Sequence, residues 1–232
     1  MEYKRSGGAS NAEEKAYRSI IGLILNGNVG PGEFLLEEEL ARSLEMSRTP
    51  VSRALARLVA EGFIDKLSKR GCFVPIPTPR DAEEVFDARI AIESQNASIA
   101  AQRATVEEIT ELEHVIEMDE HVVVTFSKES FSNINEAFHL GIAKLARNAY
   151  LERWSRYIYW RSSIYIFYFD SFYVADRVAD VPPQRTPTQH AAILDAIGGR
   201  NSATASILMT EHLRYTYSQL FSRYPQLGTN RT

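Results

Sequence analysis

Between residues 75 and 79 the chain reads Pro75-Ile76-Pro77-Thr78-Pro79. Three prolines at alternate positions withhold three backbone donors and push the residues before them into extended conformations. Neither a helix interior nor a central strand tolerates that pattern, so the segment reads as a linker. A chain of 232 residues suits one large domain or two modest ones, and the prolines select two. The expected boundaries are a disordered tail over 1–11, a first domain over 12–75, a linker over 76–80, a second domain over 81–224 and a flexible tail over 225–232.

In the first part, Ile20, Ile21, Leu23 and Ile24 predict a helix from about residue 12 to 25, ended by the turn residues of Asn26-Gly27-Asn28-Val29-Gly30-Pro31-Gly32. A second helix fits about 36–44, with Leu36, Leu40, Ala41 and Leu44 at helical spacing. After a short turn, Ser47 can cap a third helix running through residue 61, Pro50 being tolerable in its first turn. Gly62 supplies the stop. Residues 63–66 and 71–75 are strand candidates joined by a basic turn, which predicts a two-stranded wing. Val51, Ala54, Leu55 and Leu58 form the apolar stripe of the third helix, while Thr49, Ser52, Arg53 and Ala56 point elsewhere and Arg48 stands at its start. A major groove accepts such a helix, and Lys69, Arg70 and Gly71 at the wing tip suit phosphate or minor-groove contacts.

Charge supports that assignment. The formal net charge is −4, yet residues 1–80 hold 12 Lys/Arg against 10 Asp/Glu. Over 47–70, Arg48, Arg53, Arg57, Lys66, Lys69 and Arg70 face only Glu61 and Asp65. A basic patch on an acidic protein suits a site-specific binder of double-stranded DNA; a solvated helix face is the plainer meaning of the same run. The single cysteine, Cys72, rules out an intramolecular disulfide framework and suits a reducing compartment. The polar start lacks the apolar run of a signal peptide, and no stretch approaches the roughly 20 apolar residues of a membrane span. The expectation is a soluble, cytoplasmic protein with no membrane partner.

Everything after the linker is helical in pattern, with helices expected over 80–104, from 105, and over 126–147, 149–173, 186–198 and 202–222. Thr105 with Glu108 fits a capping box. Asn135 and His139 lie at i and i+4, hence on one helix face, and His190 and His212 each stand beside apolar positions in later helices. Three inward imidazoles and a carbonyl oxygen can surround a divalent metal; each histidine alone is more simply a satisfied core or surface residue. His114 and His121 fall outside the pattern. Tyr150, Trp154, Tyr157, Arg161, Tyr165, Tyr168 and Phe172 recur at helical spacing, with Trp160 close by, and suit core and subunit packing better than ligand contact.

The segment LLEEELARSLEMSRTPVSRALARLVAEGFIDKLSKRGCFV resembles the GntR-type winged helix-turn-helix. The later landmarks VFDARIAIE, NEAFHLGIAKLARN, TQHAAILDAI and MTEHLRYTY are similar to the FCD effector domain of the FadR branch of that family. The resemblance implies a mainly α protein: an N-terminal winged helix-turn-helix plus a C-terminal all-helical, FCD-like bundle. It implies a ligand-responsive transcription regulator, a repressor, acting as a homodimer on operator DNA. It selects Asn135, His139, His190 and His212 together as ligands of a divalent metal, zinc or nickel by ligand type. Arg89 matches an arginine that often faces the effector pocket, and with Arg161 it is the expected grip on a small carboxylate effector. Two departures alter the DNA-reading surface. Glu38 and Ser52 stand where many members carry arginine, and Asn135 stands where many metal-binding members carry Asp. The competing functions are a constitutive DNA-binding protein whose helical domain only dimerises, and a metal-dependent hydrolase with Glu136 as its base.

Overall fold

The computed structural model describes residues 7–124, 128–168 and 185–220, and divides along the chain between Ile76 and Pro77 into two compact units. The first opens on α1 (Gly7–Leu25), which buries Ala16, Tyr17, Ile20, Ile21 and Ile24 at three- and four-residue spacing. Residues 7–11, expected as part of a disordered tail, are therefore helical. Nothing in the sequence marks that start, because Gly7 and Gly8 are poor helix formers and the buried stripe begins only at Ala16.

Five short elements follow: β1 (Phe34–Leu35), α2 (Glu37–Ser43), α3 (Arg48–Ala60), β2 (Asp65–Leu67) and β3 (Gly71–Phe73). The wing is a three-stranded antiparallel sheet in the order β1-β3-β2, with Leu35 and Lys66 both opposite Cys72. The two-strand expectation missed β1, since a strand of two residues has no alternation to read and exists only through its pairing. Phe63 and Ile64, expected in a strand, instead fill the core just before β2.

Helix α3 buries Val51, Ala54, Leu55 and Leu58 as its spacing requires. Ser47 takes the extended cap conformation, but its side chain makes no cap hydrogen bond. At the other end Gly62 sits at φ 78°, its N–H donating to the Val59 carbonyl and that of Phe63 to the Leu58 carbonyl. The turn between α2 and α3 is closed similarly, but the left-handed position is held by Glu45 at φ 53° rather than by a glycine.

The second unit begins earlier than the expected linker allows. Pro79 occupies the first turn of α4 (Pro79–Arg103), and Thr78 caps it by accepting from the Asp81 N–H at 3.2 Å. Proline is welcome there because a first-turn residue has no intrahelical partner for an N–H. The remaining helices are α5 (Val106–Val124), α6 (Lys128–Leu145), α7 (Ala149–Tyr168), α8 (Arg185–Gly198) and α9 (Ser202–Leu220). Thr105 and Glu108 exchange both hydrogen bonds of a capping box ahead of α5. Residues 169–173 and 221–222, expected to extend α7 and α9, lie outside the described residues.

Helix α4 packs against α6, α7, α8 and α9, and α5 against α6 and α8. Small residues make that central position possible: Ala97, Ala100 and Ala101 of α4 share a core with Ala205, Met209 and Leu213 of α9. A glycine does the same between α5 and α6, since a Cβ on Gly141 would stand 2.6 Å from Leu112 Cδ2. Among the described residues, no helix is long and apolar enough to cross a membrane.

Candidate functional sites: a basic reading face and a buried histidine cavity

On the winged unit, Arg48, Thr49, Arg53 and Ala56 are exposed and Ser52 is half-buried, all on the side of α3 away from its core stripe. Ser52 Oγ donates to Glu37 Oε1 across 3.0 Å, which ties α3 to the first turn of α2. Lys69, Arg70 and Gly71 lie at the β2–β3 turn, the first two exposed. Gly71 adopts φ +106° with open space where a Cβ would stand, so the demand for glycine there comes from the backbone and not from crowding. A groove lined by Glu37, Glu38, Glu39, Arg42, Arg48, Lys66 and Gly71 runs between α2, the start of α3 and the wing.

Arg57 leaves the basic patch. Its guanidinium meets Glu14 at 2.6 Å and Glu61 at 3.1 Å and lies over the Tyr17 ring at 3.7 Å, so it fastens α1 to α3. The stripe spacing alone could not separate Arg57 from Arg53.

The helical unit brings His139 of α6, His190 of α8 and His212 of α9 together in its interior. Each offers a nitrogen such that all lie within 4.8 Å of one another. A tetrahedron with ~2.1 Å bonds has edges of ~3.4 Å, so the spacing is slightly wide of a closed site. His139 Nδ1 lies 2.7 Å from Glu93 Oε2 and His212 Nδ1 lies 3.0 Å from Gln189 Oε1. Both acceptors draw the ring proton to Nδ1 and leave Nε2 as the lone-pair nitrogen, the usual support for a metal-binding imidazole. Burial lowers His139 to about 4 against the opposing pull of Glu93, and lowers His212 well below its ordinary value with help from the neighbouring histidines and Arg89. The rings are therefore neutral at pH 7, as ligation demands. The donor set, with the tautomers and neutral charge of His139 and His212, fits a divalent ion.

Asn135 is buried beside them, its amide donating to the Phe131 carbonyl at 2.8 Å. Asn135 lines a small cavity that also meets Arg89, Ser132, His139, Tyr159, Ser163, Thr186, His212 and Thr216, with Phe131, Ile166 and Phe167 as its apolar wall. The enclosed space is about 20 Å³, room for an ion or one water molecule. Ser132 Oγ is buried there with no hydrogen-bond partner among the described residues.

The two expected effector cations are placed differently. Arg89 lines the cavity, but its fork is already taken by Glu93 at 2.6 and 3.4 Å, and its third nitrogen donates to Ser162 at 3.1 Å. Burial works against the Glu93 carboxylate, but Arg89 and then His139 more than offset it and hold the group down to about 2. Arg161 is absent from the cavity lining and pairs with Asp81 at 3.3 Å near the start of α4. The aromatic segment also divides: Tyr150, Trp154 and Tyr157 are exposed, whereas Tyr159, Trp160, Tyr165 and Phe167 are buried. Phe172 lies outside the described residues.

Glu93 is the residue that sequence reasoning missed. Its signal was present: Arg89, Glu93 and Asn96 continue the buried spacing of Ala82 and Phe86, so three polar side chains point into the bundle from one stripe. Glu136, the candidate base of the hydrolase alternative, is buried with Oε1 3.7 Å from Arg156, and it is Glu93 that reaches the histidines.

Comparison with known proteins matches these two units separately. Residues 12–74 match the bacterial regulatory proteins of the gntR family, and residues 84–215 match the FCD domain. The chain is 26% identical over 220 residues to the Uxu operon transcriptional regulator of Escherichia coli, covering 85% of this chain and 82% of that protein. It is 32% identical over 143 residues to the Nta operon transcriptional regulator of Aminobacter aminovorans, covering 57% and 67% of the two chains. The solved structure of E. coli McbR/YncC superposes with a TM-score of 0.75 at 20% identity over 95% of this chain and all of that one, and shares its fold. The chain belongs to the GntR family of transcription regulators, with a DNA-binding winged helix-turn-helix and an FCD effector domain, and is not an enzyme.

Proposed function

We propose that the protein is a ligand-responsive repressor whose helical unit holds a divalent metal, zinc or nickel, and through it a small carboxylate effector. The observation that carries this reading is the meeting of three buried imidazoles from α6, α8 and α9. His139, His190 and His212 are the proposed ligands, with the Asn135 carbonyl as a fourth, neutral one. Bound there with an open coordination position, the ion would take a carboxylate oxygen of the effector. Arg89 and Glu93 act behind the site, as a neutral buried pair that orients His139, so the effector is not gripped by the Arg89 fork. Ser132, Ser163, Thr186 and Thr216 supply further polar contacts, and the cavity must widen to admit anything larger than an ion.

On the winged unit, Arg48, Thr49, Ser52 and Arg53 read operator DNA, and Lys69, Arg70 and Gly71 approach the backbone from the wing. The exposed Tyr150, Trp154 and Tyr157 of α7 favour a homodimer, since aromatic groups of that size rarely stay in water without a partner surface. Effector binding changes DNA affinity by its difference in affinity for the conformations that hold and release operator.

The test combines elemental analysis with operator binding, using full-length protein purified without a histidine tag or chelator. The parent should take up zinc or nickel and melt at a higher temperature when loaded. His139→Ala, His190→Ala and His212→Ala should each lose metal and effector response while keeping DNA binding, and Asn135→Asp should tighten the metal. A parent that cannot be loaded overturns the metal. Operator binding that never responds to small carboxylates marks a constitutive DNA-binding protein.

A further inference from the structure

We propose that Ser52, held by Glu37, reads an exocyclic amino group in the major groove. The operator then carries adenine or cytosine, and not guanine or thymine, at one fixed position of the strand facing α3. The inference rests on the reading of α3 as the element that enters the groove.

Ser52 Oγ and Glu37 Oε1 are 3.0 Å apart. A carboxylate only accepts, so the hydroxyl proton is committed to Glu37. What Ser52 can still offer on its remaining sides is lone-pair density. In the major groove the only base donors are adenine N6 and cytosine N4, whereas guanine and thymine present acceptors at the equivalent places. A serine whose hydroxyl turns freely serves either kind of edge. Ser52 is confined to one. The negative charge of Glu37 works in the same sense, because it repels an acceptor-rich edge and attracts an amino group.

Reach is supplied by the face on which Ser52 sits. Thr49 and Ala56 lie one turn to either side of it, and both are exposed. Three short side chains in a row let the helix backbone lie close to the groove floor, where a serine touches base edges. Arg48 and Arg53, exposed beside them, are long enough to reach around to phosphates or neighbouring bases.

Every base pair carries one amino group in the major groove, but A·T and C·G place it on one strand while T·A and G·C place it on the other. An acceptor at a fixed point should therefore produce a column that tolerates adenine and cytosine together. Selection of bound sequences from randomised duplex DNA, with the full-length parent, Ser52→Ala and Glu37→Gln, tests this. The parent should show one A/C column in each half-site, read on the strand facing α3 and favoured about fivefold, the worth of a single hydrogen bond. Ser52→Ala should flatten that column alone. Glu37→Gln keeps the size of the side chain but adds an amide donor, which frees the Ser52 proton; the column should then admit all four bases. The other columns and the melting temperature should stay as in the parent, which shows that both variants fold. The proposal is overturned if Ser52→Ala leaves every column unchanged, if the affected column pairs adenine with guanine or with thymine, or if Glu37→Gln keeps the parental preference. A parent that enriches no sequence overturns the DNA-reading assignment itself, a different result from enrichment that ignores Ser52.

Discussion

The winged unit and the helical unit present their chemistry in opposite ways. The reading face draws its side chains, most of them exposed, from one 13-residue helix and the adjoining hairpin turn, all within residues 48–71. The histidine cavity draws buried side chains from α4, α6, α7, α8 and α9, from Arg89 to Thr216. A polyanion is met by cations left in water, where each is individually replaceable. An ion in a cavity is met by groups removed from water, where each must be satisfied or it destabilises the fold. Arginine shows the contrast within a single residue type. Arg48 and Arg53 are exposed, whereas Arg89 is locked between Glu93 and Ser162 in the bundle.

The largest expected effect breaks that contrast directly. Arg89→Met leaves the Glu93 carboxylate buried without its guanidinium and should destabilise the helical unit by about 3–5 kcal/mol in urea unfolding. Arg48→Ala should cost under about 0.5 kcal/mol of stability by the same measurement. Equal costs would mean that exposure does not separate the two sites.

Acid should act on the helical unit next. His139 is lowered from its ordinary 6.5 to about 4 by burial, and His212 is lowered in the same direction. At His139 the unfolded chain binds a proton near pH 6.5 that the folded chain refuses until about pH 4, and His212 acts in the same direction. The stability from keeping these rings neutral is thus complete above pH 6.5 and is lost as pH falls towards 4. Glu93, held at about 2 against an ordinary 4.5, adds its own loss as pH falls from about 4.5 towards 2. The metal-free protein should melt several degrees lower at pH 4.5 than at pH 7, as read by calorimetry; a flat profile would remove the buried-neutral assignment.

DNA affinity should respond to the other unit. Arg48→Ala or Arg53→Ala should weaken operator binding by about 1–3 kcal/mol without unfolding the bundle. Neutralising Lys69 and Arg70 should instead shallow the dependence of log affinity on log salt by about one unit per lost phosphate contact. Unchanged affinity in both arginine variants would remove α3 as the reading helix. The smallest effect sharpens the picture of the winged unit as a frame: Glu45→Gly relieves a side chain held at φ 53° and should stabilise that unit by about 1 kcal/mol, a melting shift of a few degrees.

Local patterns carried most of the fold. The stripe of Val51, Ala54, Leu55 and Leu58, the stop at Gly62 and the capping box at Thr105 and Glu108 are each set by residues within one or two turns, and each stands where its spacing puts it. The misses have a common cause. β1 is a strand only because β3 pairs with it, α1 starts at Gly7 without a local marker, and Pro79 opens a helix where three prolines read as linker.

By itself the sequence determined the two-part division, the helical character of each part, and which side of α3 is apolar, because helical periodicity is a property of neighbours. Only the tertiary structure decided the long-range partners of the charged groups. Arg57 was taken from the basic patch by Glu14, 43 residues away, and Arg161 by Asp81, 80 residues away. Glu93 reached His139 across 46 positions, while its closing on Arg89, one turn back along α4, is a local pairing that took the fork expected to grip an effector carboxylate. Charge interactions depend on distance and burial, and neither is a function of separation along the chain.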